Sequence, residues 1–240
     1  IKKMVALIEY QPPQSARRCF LFFRFSNAER VINGSLIQNQ RVVGNHDISR
    51  FVNRYGEHYA RICAMLLLTL KGTPILYYGD EIGMSDVIMS PSKIRDRFGR
   101  DKVRTPMQWS GGPKAGFSSG TPWLPAGDAS KANVASLRDD PASLLTLYKK
   151  IISLRKENKA LRLGDYKSFD TSSDQCFGYL RTLAGEKIVV ILNFSNESQK
   201  PGACPYGDRG AVLISTNLDR SGEISLKDLT LRPYEGCVIK

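Results

Sequence analysis

The sequence predicts an α/β domain with parallel strands, followed by an antiparallel all-β sandwich domain. Two short apolar runs, at residues 42–43 and 75–78, each end at a glycine that is followed by polar side chains, and a long amphipathic segment lies between them. This order is typical of a βαβ unit, whose two strands are parallel. Beyond Gly164 the apolar spacing becomes alternating and no helical segment intervenes, which is typical of a sandwich.

The first strand is followed by three different polar side chains in succession. Gly44 precedes Asn45, His46 and Asp47, which supply an amide, an imidazole and a carboxylate. Side chains at the carboxyl ends of parallel strands face the crevice or barrel mouth where ligands bind, so the sequence predicts a site here. A plainer interpretation also fits the triplet: an ordinary turn in which Asp47 or Ser49 caps the next helix.

The segment between the two strands predicts a helix over residues 49–71. Its apolar residues recur at spacings of three and four and form one face that packs on a core. The second strand ends at Gly79, and Asp80 and Glu81 follow it. Because adjacent residues that leave a strand point in opposite directions, we expect these two carboxylates not to act together as an acid and a base. The apolar face of the helix comprises Phe51, Val52, Tyr55, Tyr59, Ile62, Cys63, Leu66, Leu67 and Leu70.

Residues 82–138 lack regular periodicity and predict a long loop region. They contain both tryptophans of the sequence, Trp109 and Trp123, and five of its twelve prolines. A loop region of this length inside a compact domain usually serves a function.

The α/β domain is predicted to end with a helix over residues 139–163. Asp140 is the predicted N-cap, Pro141 occupies the first helical position, and Gly164 ends the helix. We place a domain boundary near Gly164, so that the domains cover residues 1–164 and 165–240. The strands predicted in the second domain cover residues 166–169, 177–182, 187–194, 211–215, 223–226 and 236–240.

The N-terminal part of the sequence is less informative. Residues 1–11 have the pattern of a helix end that is stopped by Pro12. Residues 20–25 are densely aromatic, and Asn33 and Gly34 form a turn signal. We assign no role to residues 14–41.

The composition argues against several classes of partner. The formal charge is +12, but the basic residues are scattered and are not interleaved with stacking aromatics, so we expect no nucleic-acid partner. No apolar run approaches the roughly 18 residues of a membrane-spanning helix, and there is no secretory leader, so we expect no membrane partner. The five cysteines are dispersed, so we expect reduced thiols in a cytoplasmic protein, with no metal and no cofactor. Because the first residue is isoleucine rather than methionine, we expect the sequence to be a piece of a longer chain.

Five ordered motifs resemble those of a known family. They are GNHDISR at residues 44–50, GTPILYYGDEIGM at 72–84, GRDKVRTPMQWS at 99–110, AGFS at 115–118 and PWLP at 122–125. Together they resemble the C-terminal half of the α-glucosidase and oligo-1,6-glucosidase group of the α-amylase family. The resemblance implies the C-terminal part of a (β/α)8 TIM barrel, with residues 42–44 in strand seven and residues 75–79 in strand eight, followed by the all-β domain.

The resemblance also implies roles for individual residues. Members of this group are retaining glycosidases, whose nucleophile and general acid lie on strands four and five, and this sequence has no match to either segment. Asp47 would be the third catalytic carboxylate, which binds hydroxyls of the distorted sugar in the transition state. His46 would orient the same sugar, Arg100 would clamp its non-reducing end, and Arg104 would line the entrance. The plainer alternatives are a structural histidine and surface ion pairs.

The implied function is hydrolysis of short α-linked gluco-oligosaccharides with α-1,4 or α-1,6 linkages. We predict that the 240-residue chain alone is inactive, because two of the three carboxylates are missing. A glucosyl-transferring relative, or one that interconverts maltose and trehalose, would share these motifs, and a non-catalytic glucosidase-like module is a third alternative. Trp109 and Trp123 could stack on sugar rings, but we expect them to anchor loops.

Overall fold

The computed structural model describes residues 31–32, 35–36, 40–202 and 204–240. The predicted helix end at residues 1–11, the aromatic run at residues 20–25 and Cys19 lie outside them. The chain divides into two compact units, an N-terminal unit with the described residues from 31 to 68 and residues 72–157, and a C-terminal unit with residues 69–71 and 158–240. Within the described residues, no helix has the length and apolar character that crossing a lipid bilayer requires.

The N-terminal unit has short strands and mostly short helices in its described residues. The two strands that flank the Asn33-Gly34 turn signal pair antiparallel. The strands are β1 (Val31–Ile32), β2 (Ser35–Leu36), β3 (Gln40–Val42) and β4 (Thr73–Ile75), and the helices are α1 (Phe51–Tyr55), α2 (Ala60–Thr69), α3 (Val134–Leu137) and α4 (Leu144–Glu157).

Strands β3 and β4 confirm the predicted parallel pair. Their register places Val42 opposite Ile75. The second strand begins at Thr73 and ends at Ile75, earlier than predicted. Tyr77 and Tyr78 lie beyond it, where their hydroxyls donate to carbonyls of the following loop at 2.9 and 2.6 Å. The polar tip after β3 and the Gly79 turn after β4 therefore lie at the same edge of the pair.

The helix predicted over residues 49–71 is interrupted by a glycine. Gly56 has a φ angle of 96° and ends α1, and a 3-10 turn at Glu57–Tyr59 leads into α2. A side chain would be strained at this backbone angle. Residues 62–68 of α2 are at most 2% exposed, so this helix is buried on every side.

The predicted start of the last helix is wrong by several residues. Helix α4 begins at Leu144, because Asp140 makes a local turn instead of a cap: its Oδ1 accepts from the N–H of Ala142 at 2.8 Å. Ser143 takes the capping position, and its Oγ accepts from the N–H of Thr146 at 3.0 Å. Asp140 and Ser143 both have a side-chain oxygen that can cap the helix, and the local sequence pattern does not show which of the two does so.

The C-terminal unit opens with a separate short helix, α5 (Lys159–Leu163). Asn158 starts it, since its side chain accepts from the N–H of Leu161 at 2.9 Å. The single helix predicted over residues 139–163 is therefore two helices. Gly164 ends the second one, as predicted. The domain boundary near residue 164 stays a prediction.

The predicted antiparallel β domain is confirmed. Its strands form one hydrogen-bonded sheet in the order β5-β6-β7-β10-β8-β9, and each neighbouring pair is antiparallel. Leu226, Leu229 and Cys204 lie outside the strands and pack on the strand side chains of one face, so loops supply the second layer. The strands are β5 (Asp165–Phe169), β6 (Cys176–Leu183), β7 (Glu186–Asn193), β8 (Arg209–Ser215), β9 (Gly222–Ser225) and β10 (Gly236–Ile239).

A buried carboxylate lies directly before β10, a central strand of this sheet. Glu235 is fully buried, and both of its oxygens accept from arginines: Oε1 from Arg220 Nε at 2.7 Å, and Oε2 from Arg220 Nη2 at 2.8 Å and from the N–H of Arg232 at 2.7 Å. Burial alone would raise the pKa of Glu235, but the hydrogen bonds from Arg232 and Arg220 outweigh burial and hold the pKa below its usual value. The folded state therefore favours the charged carboxylate.

We predict that Glu235→Gln lowers the free energy of unfolding by about 3 kcal/mol or more at neutral pH, because it breaks a buried ion pair. Since the folded pKa is depressed, this contribution is present above the unfolded pKa and is lost as pH falls through the folded pKa. The wild type should thus approach the variant in acid. Urea unfolding followed by circular dichroism measures both effects.

The matched control is Glu223→Gln, whose side chain is 72% exposed beside Arg209. Exposed pairs contribute at most about 1 kcal/mol, so this variant should unfold almost like the wild type. Equal losses for the two variants would contradict the special role of Glu235.

Candidate functional site

The polar tip after β3 is a compact turn. The Asn45 side chain holds it, since Oδ1 accepts from the N–H groups of Asp47 at 2.8 Å and Ile48 at 3.2 Å. Helix α1 has Arg50 at its N-cap and no side-chain capping bond there, so the plainer interpretation in which Asp47 or Ser49 caps the helix is wrong. The carboxylate of Asp47 is therefore available for other contacts.

Asp47 lies at the centre of a cluster of cationic and imidazole groups. Its Oδ1 accepts from Arg100 Nη1 at 3.1 Å and from Arg104 Nη2 at 3.2 Å, and it lies 3.5 Å from His46 Nε2. Arg104 Nε also donates to the carbonyl of His46 at 2.9 Å. Among the described residues no group donates to Oδ2, and half of the Asp47 side chain is exposed. The structure thus brings together all four site residues that the resemblance implies; their roles on a sugar stay predictions.

Arg100 is held in place by a residue that the sequence analysis missed. Asp96, four residues earlier, accepts from Arg100 Nε at 2.9 Å and from Nη2 at 2.8 Å, which is a bidentate pair. These hydrogen bonds hold the pKa of Asp96 well below its usual range and raise that of Arg100 above its own. Asp101 in turn accepts from the N–H of Asp96 at 2.7 Å, which fixes the loop that carries the pair. The i, i+4 spacing of Asp96 and Arg100 is the sequence signal that could have revealed it.

Arg50 ties the two strand ends to the long loop. Its guanidinium donates to the carbonyl of Tyr78 at 2.8 Å and to that of Val103 at 3.0 Å, and it lies 5.0 Å from the ring centre of Tyr77 and 4.9 Å from that of Tyr78. The N–H of Arg50 donates to Asp86 Oδ1 at 2.7 Å. The side chain is 1% exposed, so this is a buried cation that carbonyls and rings stabilise.

Asp80 lies directly behind the polar tip. A Cβ atom on Gly44 would come within 2.8 Å of Asp80 Oδ2, so a larger residue at this position would require the Asp80 side chain to shift. Burial raises the pKa of Asp80 to about 7, Glu81 adds to the rise, and Arg50 and Arg54 oppose it. Glu81 turns back, and its Oε2 accepts from the N–H of Gly79 at 2.8 Å.

We expected the two tryptophans to anchor loops rather than stack on sugar rings, but neither side chain is buried. Trp109 is 50% exposed and Trp123 is 80% exposed, and both line a groove of about 460 Å³ together with Phe117 and Arg104. The loop is held by its backbone instead, since the N–H of Trp109 donates to the carbonyl of Ala115 at 2.9 Å. Sequence periodicity carries no signal for such loop pairings.

Comparison with known proteins agrees with the motifs. The Alpha-amylase family model, described as the catalytic domain of alpha amylase, matches residues 22–164. The oligo-1,6-glucosidase of Parageobacillus thermoglucosidasius is 32% identical, over 84% of this chain and 42% of that protein. The chain belongs to the α-amylase family. The predicted resemblance to its oligo-1,6-glucosidase group is confirmed.

Two other similar proteins are named for different activities. The trehalose-6-phosphate hydrolase of Escherichia coli strain K12 is 34% identical, over 80% of this chain and 40% of that protein. The trehalulose synthase of Pseudomonas mesoacidophila MX-45 has a TM-score of 0.76 at 28% identity, over 86% of this chain and 44% of that chain. The chain therefore spans less than half the length of these α-amylase family members. The predicted fold class, the C-terminal part of a (β/α)8 barrel followed by an antiparallel all-β domain, is confirmed.

We predict that Asp80 makes this α-amylase family member less stable as pH rises. The folded protein keeps the Asp80 proton up to about pH 7, whereas the unfolded chain loses it near 3.8. The contribution of Asp80 to stability should therefore be greatest in acid and fall by about 2–3 kcal/mol between about pH 5 and about pH 8. Asp80→Asn should remove this part of the slope, as urea titrations at both pH values would measure. An unchanged slope in the variant would contradict the raised pKa.

We further predict that Arg50→Met destabilises the N-terminal unit by about 3 kcal/mol or more, because the buried carbonyl of Val103 and the partly buried carbonyl of Tyr78 lose their donor. Backbone amides near Asp86 and Val103 should exchange hydrogen faster. Arg97→Met is the control, since Arg97 is exposed and packs on Phe98, with 4.6 Å from guanidinium to ring centre. Similar exchange rates in both variants would contradict the central role of Arg50.

Proposed function

We propose that the chain forms the transition-state-binding side of a retaining α-glucosidase site for short α-1,4- or α-1,6-linked gluco-oligosaccharides. The observation that carries the proposal is the Asp47 cluster at the carboxyl end of β3, where Oδ1 is held by Arg100 and Arg104 and Oδ2 accepts nothing from the described residues. The chain's membership of the α-amylase family supports a glycoside as the substrate class.

The geometry of Asp47 suits an acceptor for sugar hydroxyls. The two guanidinium groups fix the orientation of the Asp47 carboxylate, so its other oxygen can accept from a ring hydroxyl. Positive charge develops on the sugar in the oxocarbenium-like transition state, and hydrogen bonds to a fixed anion strengthen at that moment. Asp47 therefore stabilises the transition state more than the bound substrate.

His46 and Arg100 act as positioning groups in this proposal. The His46 side chain is 65% exposed and lies against Asp47, so it can donate to a neighbouring hydroxyl of the same ring. Arg100 keeps its orientation through Asp96, which leaves it able to hold the non-reducing end of the glucosyl unit. Neither residue needs to transfer a proton for these roles.

We predict that the purified 240-residue chain does not hydrolyse p-nitrophenyl α-glucoside, because the segments that resemble the nucleophile and general acid are missing. Mixing it with the complementary N-terminal part of the Parageobacillus thermoglucosidasius relative should restore turnover. Asp47→Asn should then lower kcat at least about a hundredfold, as expected when a group that acts on developing charge is lost.

The control for this loss is Asp139→Asn, an exposed carboxylate away from the cluster, which should keep the restored rate. Turnover by the chain alone would contradict the prediction that activity requires the segments with the nucleophile and the general acid. Full activity of Asp47→Asn in the mixture would refute the role of Asp47 and favour a non-catalytic module.

A second candidate function is glucosyl transfer or isomerisation of a disaccharide. The similarity to trehalulose synthase favours it, since the cluster around Asp47 is compatible with either outcome. Product analysis of the restored mixture on maltose separates the two: glucose as the sole product supports hydrolysis, and trehalose or another disaccharide supports isomerisation.

A further inference from the structure

One arginine side chain joins the two points at which the chain enters and leaves the polar tip, residues 44–48. Arg54 Nε donates to the carbonyl of Ser49 at 2.7 Å, and its Nη2 donates to the carbonyl of Val43. Val43 directly follows β3, and Ser49 directly precedes the N-cap of α1. The guanidinium group therefore closes the base of the turn that carries Asp47.

The Arg54 side chain is itself held in place by α1. Its third nitrogen, Nη1, donates to the hydroxyl of Tyr55 at 2.8 Å, and its guanidinium lies 4.6 Å from the centre of the Tyr55 ring. That ring packs on Phe51, which is 5% exposed, with 5.2 Å between the two ring centres. All three guanidinium nitrogens thus have a protein acceptor, in the fixed fork geometry that distinguishes arginine from lysine.

The other contacts of the tip do not join its two ends. Within the tip, the Asn45 side chain accepts from two backbone N–H groups, one of which belongs to Asp47. At the downstream end, Asp86 accepts from the hydroxyl of Ser49. Among the described residues, Arg54 is the side chain that bonds to the backbone at both ends.

We propose that Arg54 is a positioning residue for Asp47, which it holds in place by bridging the carbonyls of Val43 and Ser49. This inference rests on the proposed function of Asp47 in transition-state binding. A group with that role has to stay within about 0.5 Å of its productive position, because a displacement of about 1 Å lowers the rate about a hundredfold. Since its three nitrogens are bonded to protein acceptors, Arg54 acts through the backbone and not on the sugar.

A purely electrostatic role for Arg54 is the alternative that an experiment has to separate. Arg54 lies in the last turn of α1, where a cation is favourable, and its charge lowers the raised pKa of Asp80. Both effects need only a positive charge. Closing the turn needs two nitrogens at a fixed separation, which Arg54→Lys removes while it keeps the charge.

The two histidines of the sequence, His46 and His58, report on the turn. His46 lies in the tip, and His58 lies in the 3-10 turn after α1, four residues beyond Arg54. Their ring resonances should be compared by NMR in the 240-residue chain and in its Arg54→Met variant. The His46 resonances should shift and broaden, because the base of the tip opens, while those of His58 should keep their positions.

The kinetic test uses the mixture with the complementary N-terminal part of the Parageobacillus thermoglucosidasius relative. Arg54→Met should lower kcat about tenfold to a hundredfold and leave KM within about threefold, because a displaced Asp47 loses contacts that are made mainly in the transition state. Arg54→Lys should resemble Arg54→Met in both kcat and the His46 spectrum. The control is Arg138→Met, an exposed arginine of the same unit, which should keep the wild-type values.

The outcomes separate this inference from the proposed function. A wild-type kcat or a wild-type His46 spectrum in Arg54→Lys would leave Arg54 with a role of charge alone and overturn the inference. Equal shifts of His46 and His58 would indicate a general disturbance of α1 and overturn it as well. Neither result touches the role of Asp47. If circular dichroism shows that Arg54→Met does not fold, Arg54→Lys decides both tests.

The reverse failure has a different signature. If Asp47→Asn keeps full activity in the mixture while the His46 resonances shift in the Arg54 variants, the proposed function fails. Arg54 then holds the turn but positions no catalytic group, so the inference falls with the function on which it rests.

Discussion

The buried guanidinium of Arg50 is the contact on which the arrangement of the N-terminal unit depends. It reaches the carbonyls of Tyr78 after β4 and of Val103 in the long loop, while its own backbone starts α1. Three segments far apart in sequence thus share one cation. Removing a charged group from water is costly, and the two tyrosine rings and the carbonyls offset that cost only while all three segments are in place. The interaction therefore favours a single loop arrangement more than it adds net stability.

The Asp47 cluster depends on this loop arrangement more than on its own ion pairs. Asp47 is half exposed, and exposed ion pairs contribute at most about 1 kcal/mol each. Arg100 and Arg104 approach Asp47 because Asp101 and the hydroxyl of Tyr78 hold the loop backbone. The site is preorganised from behind by the hydrogen bonds of the loop and by one buried cation, so its charged face remains open to a ligand.

Two carboxylates in the chain illustrate how surroundings set ionisation. Glu235 is fully buried and Asp80 is partly buried, but arginines donate to both oxygens of Glu235, and its pKa is lowered. Asp80 faces Gly44, burial dominates, and its pKa rises to about 7. The Glu235 carboxylate thus stabilises the C-terminal unit as an anion. The Asp80 carboxyl, behind the polar tip, is an acid that titrates near neutral pH.

The sequence by itself determined the βαβ unit, the antiparallel strands, the long loop region and the polar tip at Asp47, because spacing and turn residues are local properties of the chain. Only the tertiary structure decided what surrounds that tip. Arg100 and Arg104 lie 53 and 57 residues from Asp47, and Arg50 reaches Val103 across another 53. The motif resemblance named the site residues, but no local pattern predicts the approach of Asp80 to Gly44 or the exposed tryptophan rings. Those contacts join segments that approach each other only in the folded protein, so no local sequence pattern predicts them.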